Sequence, residues 1–137
     1  MNLSFPIEFI VEGTPVSRGS KLPKSRNRWK ARVREASKLC LPEGYWAATG
    51  RVAVTLFYFP AVDASGDVDN ISKLVLDALC QHIYMDDNQV ERIVVQKFEP
   101  GRVFAFESPS ETLTKALNLR KPLLYVRITD DPFEELK

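Results

Sequence analysis

Apolar residues recur along this chain with two periods, and where the period changes the elements can be read. Residues 5–12, FPIEFIVE, alternate in part and predict a first strand, ended by Gly13, Thr14, Pro15 and Val16. Residues 51–60, RVAVTLFYFP, place Val52, Val54, Leu56 and Tyr58 on one side and Ala53, Thr55, Phe57 and Phe59 on the other. Both sides are largely apolar, so this strand belongs in the middle of a sheet. Residues 91–98 predict another strand through Ile93, Val94 and Val95; Pro100 and Gly101 then mark a turn, and Val103 to Phe106 the returning half of a hairpin. Residues 123–129, LLYVRIT, predict the last strand.

Helical spacing fills the intervals. Trp29, Val33, Ala36 and Cys40 form a stripe on a helix predicted over 27–41. Ile71, Leu74, Val75, Ala78 and Leu79 mark one face of a second helix, which begins at Asp69 or Asn70, either a good N-cap. Ser110 can cap a short third helix carrying Leu113, Ala116 and Leu117 that stops before Pro122. The expected fold is therefore α+β: a two-layer arrangement with helices packed on a mixed sheet, in the order β-α-β-α-β-β(-α)-β. Residues 101–121 read as a surface insertion or, more sharply, a dimer or junction contact, and 130–137 as a frayed acidic tail.

At 137 residues the chain suits one domain, residues 1–137, with a single core. No apolar run approaches the roughly 20 residues that span a bilayer, and the N-terminus lacks a leader pattern, so no membrane partner and a cytoplasmic location are expected. Cys40 and Cys80 form no metal or redox motif and read as reduced core residues. Tyr45 and Trp46, in the loop after the first helix, are expected to cover the core edge, and His82 to act as a cap or surface residue.

Charge changes the picture through its distribution. Residues 18–38 hold nine basic residues, Arg18, Lys21, Lys24, Arg26, Arg28, Lys30, Arg32, Arg34 and Lys38, against the single acid Glu35. That local net of +8 leaves −7 for the rest of a chain whose formal charge is +1. A solvated helix surface is one reading; a phosphate-contacting arm is favoured, because so dense a run of one sign repels itself and is balanced by a polyanion. Trp29 fits a buried aromatic better than a base-stacking one.

The chemistry concentrates in Asp67 to Val90, DVDNISKLVLDALCQHIYMDDNQV, which holds five of the eighteen acidic residues. Asp67 and Asp69 leave one side of an extended backbone, Lys73 lies four residues after Asp69 and four before Asp77, and Asp86 and Asp87 sit in a polar turn. If that turn folds back to the helix start, Asp67, Asp69 and Asp87 converge. Such carboxylates resist ionisation together unless a cation shares the site, and oxygen donors select Mg²⁺, with Mn²⁺ a substitute, over zinc.

DVDNISKLVLDAL followed by YMDDNQV resembles the signature of the RusA family of Holliday-junction resolvases, in which D-x-D-N-x-x-K-x-x-x-D-A-L precedes D-D-x-Q-V. Gly13 to Lys21 also loosely resembles the G-x-P-x-x-K-G-R run of that family, with Arg18 where lysine is common. The resemblance implies that Asp67, Asp69 and Asp87 hold the metal and are catalytic together with Lys73, and that Asn70, Asp77, Asp86 and Gln89 stand around them. It implies a homodimer that resolves four-way DNA junctions by paired symmetric cuts. The basic run separately places Arg18, Lys21, Lys24, Arg26, Arg28, Lys30, Arg32 and Arg34 on the DNA. Two other readings remain: a related nuclease acting on other branched DNA or on RNA, and a catalytically silent DNA-binding module.

Overall fold

A computed structural model of the chain describes residues 2–17, 19–62, 69–102 and 104–136, the side chains of Asp69 and Glu135 excepted. The elements run β1 (Ile7–Glu12), α1 (Pro23–Lys38), β2 (Val52–Phe59), α2 (Asp69–Leu79), β3 (Val90–Lys97), α3 (Glu111–Asn118) and β4 (Leu123–Thr129). The strands form one mixed sheet in the order β1-β4-β2-β3. β4 lies antiparallel to both β1 and β2, while β2 and β3 run parallel. β2 is internal, as its two apolar faces require.

One face of the sheet carries α1 and α2. Ile7, Phe9, Val11, Val54, Leu56, Val126 and Ile128 meet Trp29 and Val33 of α1 and Leu74, Val75, Ala78 and Leu79 of α2, all buried. Each such aliphatic side chain contributes about 1.5–3 kcal/mol by leaving water. The spacing of the α2 residues thus fixes which side of that helix faces the sheet and which faces out.

The opposite face departs from the two-layer expectation. α3 packs there through Leu113 and Ala116 against Phe59, Leu123 and Tyr125. The predicted hairpin is not formed: Val103 lies outside the described residues, and residues 104–106 join no strand. Phe104, itself exposed, and the half-buried Phe106 lie against Phe98 instead, with ring centroids 4.9 Å and 5.3 Å from it, and Phe98 stacks on Phe59 at 4.9 Å. The alternation that resembled a strand is that of an aromatic cover. Residues 101–121 are accordingly not a mere surface insertion, since they close the second face.

Other boundaries differ for local reasons. α1 starts a turn earlier than predicted, because Pro23 occupies its first turn, where no amide donor is needed, and the residues between Pro23 and Trp29 are all polar and so mark no apolar face there. It ends at Lys38, so Cys40 is exposed rather than in the core, and Ser37 takes the next buried position after Val33. Trp46 is 60% exposed, with its indole N–H donating to Asn2 Oδ1 at 2.7 Å, so it does not cover the core. The tail turns back: Pro132 is buried, and Glu134 pairs with Arg127 at 2.7 Å. No helix among the described residues is long and apolar enough to cross a membrane.

Candidate active site

Parallel β2 and β3 begin at the same end of the sheet, with Val52 beside Val90. α2 therefore carries the chain back from the far end of β2 to the start of β3. Asp69 is the first residue of α2, and Asp87 lies beyond its last, in a 3₁₀ turn (Asp87–Gln89) that leads directly into β3. Eleven residues of helix extend about 16 Å. Within one chain the turn does not fold back to the helix start, and Asp69 and Asp87 stand at opposite ends of α2. Asp67 lies outside the described residues. Among the described residues no three His, Cys, Asp or Glu side chains form a metal-ligating group.

Between those ends runs the polar stripe of α2. Asn70 is exposed in the first turn, and Lys73 Nζ lies 3.9 Å from Asp77 Oδ1, both groups half exposed. Asp77, Asp86 and Asp87 all act electrostatically on Cys80, just past the end of α2. The Cys80 thiol donates to the Met85 carbonyl at 3.6 Å, and burial first, then the aspartates with Asp87 foremost, pushes its pKa up, which favours the protonated form. Tyr84 is likewise pushed well above the ordinary phenol range, by burial and then by Asp87, and its hydroxyl donates to the Leu76 carbonyl at 2.9 Å.

The Asp86-Asp87 turn is closed by its own residues. Asp86 accepts from the Asn88 amide at 3.2 Å, and Gln89 Oε1 accepts from the Met85 and Asp86 amides at 2.8 Å each. Asp86 and Gln89 thus form a reciprocal capping box. Gln89 Nε2 also donates to the carbonyls of Ala48 at 2.8 Å and Gly50 at 2.7 Å, which ties the turn to the loop before β2.

His82 is held between α1 and the 41–51 loop. Tyr45 Oη stands 2.9 Å from Nδ1 and Ser37 Oγ 2.7 Å from Nε2, and Ser37 Oγ donates to the Arg34 carbonyl at 2.6 Å. One proton arrangement satisfies all of them: Tyr45 donates to Nδ1, and Nε2–H donates to Ser37. That arrangement needs a neutral ring, and burial, then Arg34 and Lys38, holds His82 below its ordinary range.

The basic residues wrap α1 rather than line one face. Lys21, Lys24 and Arg28 point outward, and Lys30 is half buried. Arg34 Nε donates to the Ala78 carbonyl of α2 at 3.0 Å, Arg32 to the Glu12 carbonyl of β1 at 3.2 Å, and Arg26 to the Ser20 carbonyl. These three each commit a donor within the chain, and Arg34 thereby couples the basic helix to the polar one. Arg18 lies outside the described residues.

The model of the family described as Endodeoxyribonuclease RusA matches residues 15–104, well over half of the chain. The chain belongs to the RusA endodeoxyribonuclease family. The match runs from α1 through β3 into the aromatic segment and includes both ends of α2. As a RusA-family member the chain is a nuclease. None of the curated proteins matches it.

The roles of Gln89, Cys80 and Tyr84 around Asp87 could not be read from spacing. For Gln89 the sequence did carry a sign, an amide three residues after an aspartate, which is the capping-box pattern.

Proposed function

We propose that the chain is a Mg²⁺-dependent endodeoxyribonuclease that resolves four-way DNA junctions as a two-fold dimer, with Asp67 and Asp69 of one copy completed by Asp87 of the other. The observation that carries this reading is the separation of Asp69 from Asp87 by the length of α2, within a motif whose three carboxylates belong to one family signature. Two α2 helices packed antiparallel about a two-fold axis bring the start of each beside the end of the other. The stripe of Asn70, Lys73 and Asp77 suits this operation, because it sets Lys73 of each copy towards Asp77 of the other.

The donor set suits a hard cation. It offers carboxylate oxygens, while the single histidine is engaged by Ser37 and Tyr45 and the Cys80 thiol is held protonated. When bound, Mg²⁺, or Mn²⁺ in its place, supplies polarisation of the phosphate and easier deprotonation of the attacking water. Lys73, one helical turn after Asp69, places a positive charge where negative charge grows on the phosphate. Lys21, Lys24 and Arg28 supply sequence-independent attraction to the DNA backbone, and binding should weaken as salt rises. Two sites related by the two-fold axis account for paired cuts in opposed strands.

The test is cleavage of a fixed four-way junction in Mg²⁺, with Asp69→Asn as the matched control. Paired symmetric nicks by the parent, with binding but no cleavage by the variant, is the expected result. Cleavage confined to forks, flaps or RNA would replace the junction by another substrate, and tight binding without cleavage in either metal would leave a DNA-binding module.

A further inference from the structure

We propose that Gln89 is the positioning residue of the site: it fixes the carboxylate of Asp87 by locking the 85–89 turn onto the loop that precedes β2. The proposal rests on the reading of Asp87 as a metal-binding carboxylate.

A primary amide offers two acceptor lone pairs and two N–H donors, and all four are used here. Oε1 takes the Met85 and Asp86 amides, which lie just before Asp87, and Nε2 holds the Ala48 and Gly50 carbonyls, about forty residues away in the chain, at distances of 2.7–2.8 Å throughout. No other side chain of this length fits. A glutamate would set two oxygens against two carbonyl oxygens, and a lysine could not accept from the amides.

Asp87 needs such a fixture. It is exposed in a short turn beside Asp86, so packing of its own side chain does little to fix it. The neutral amide holds the turn without adding a charge that would compete with a cation. Because the anchoring loop leads directly into β2, the position of Asp87 is referred to the sheet itself and not to the turn alone.

The experiment compares the parent protein with Gln89→Met, which keeps the volume and removes all four bonds, and with Gln89→Asn, whose amide is too short to bridge both sides. Asp87→Asn serves as the reference and Ser37→Ala as a control that loosens the fold away from Asp87. Junction cleavage, junction binding without metal, and amide hydrogen exchange of residues 85–88 are measured for each. For Gln89→Met, kcat is expected to fall about 10- to 100-fold, as for groups that orient metal ligands, with junction Kd unchanged and exchange at 85–88 raised. Gln89→Asn is expected to fall less, and it carries the test if the Met variant does not fold. Ser37→Ala should lower Tm and leave kcat as it was. Parent-like kcat in both Gln89 variants, with Asp87→Asn inactive, overturns the assignment of Gln89 alone. Parent-like cleavage by Asp87→Asn overturns the reading of the site, and the assignment with it.

Discussion

The end of α2 that leads to Asp87 and the end that begins at Asp69 are held in different ways. Around Asp87, Gln89 and Asp86 close the turn, Tyr84 is buried against the Leu76 carbonyl, and the Ala48 amide donates to the Ile83 carbonyl at 2.8 Å. Around Asp69 the described neighbours are an exposed Asn70 and a Lys73 that reaches Asp77 only at 3.9 Å. An ion pair of that length and exposure adds little to stability. One end thus presents a carboxylate from a braced turn; at the other, the ion pair of Lys73 with Asp77 is long and exposed. In the proposed two-fold assembly these two kinds of end would meet. Under the proposed function the charge of Lys73, whose described pair is this long and exposed one, serves the phosphate.

The largest expected effects come from removing either half. Asp69→Asn and Asp87→Asn should each reduce junction cleavage by about 10³-fold or more while leaving junction binding in place, read as nicked product per unit of bound complex. Equal losses from the two ends would support their belonging to one centre; a loss at one end only would break the comparison. Lys73→Met is expected to reduce kcat by about 10²-fold with Kd for the junction changed little, since its charge matters most as the phosphate becomes more negative. A loss confined to binding would make it a DNA contact instead.

Smaller effects should come from α1. Lys24→Glu combined with Arg28→Glu should weaken junction binding about tenfold at moderate salt and make the dependence of log Kd on log salt shallower by about 1 to 2. An unchanged slope would remove α1 from the DNA surface. The smallest effect concerns His82. Its folded-state pKa lies below the ordinary 6.5, so the unfolded chain takes up a proton first as the pH falls. Stability should be intact above about pH 6.5 and decline as pH drops from there towards the lowered folded value. His82→Gln should cost about 1 kcal/mol at neutral pH through lost hydrogen bonds, and flatten that acid decline in urea midpoints measured from pH 7 to pH 5. A decline as steep as the parent's would place the acid sensitivity elsewhere.

Much of the fold was legible because burial imposes a period. The stripe Leu74, Val75, Ala78 and Leu79 gave α2 its face, and the two apolar sides of Val52–Phe59 gave β2 its central place. Where placement depends on contacts that follow no period, the reading failed. Phe104 and Phe106 alternate like a strand yet serve as a cover, and Pro23, Cys40 and Trp46 depend on where α1 starts and stops. The candidate site was legible as residue types but not as an arrangement. Spacing joined Lys73 to Asp77, which stand 3.9 Å apart on one helix, and to Asp69, whose side chain lies outside the described residues. It also brought Asp87 back to Asp69, which the parallel pairing of β2 with β3 forbids within one chain. That pairing depends on contacts far apart in sequence, and no local pattern states it.

In the proposed assembly each site draws carboxylates from two copies of the chain. The direct measurement is junction cleavage by a mixture of Asp69→Asn and Asp87→Asn chains, unfolded together and refolded so that mixed dimers form. In a mixed dimer one composite site has lost both groups, and the other keeps Asp69 from one chain and Asp87 from its partner. The mixture is expected to recover single-strand nicking that neither variant shows alone. A mixture as inactive as its components, with mixed dimers verified, would contradict it.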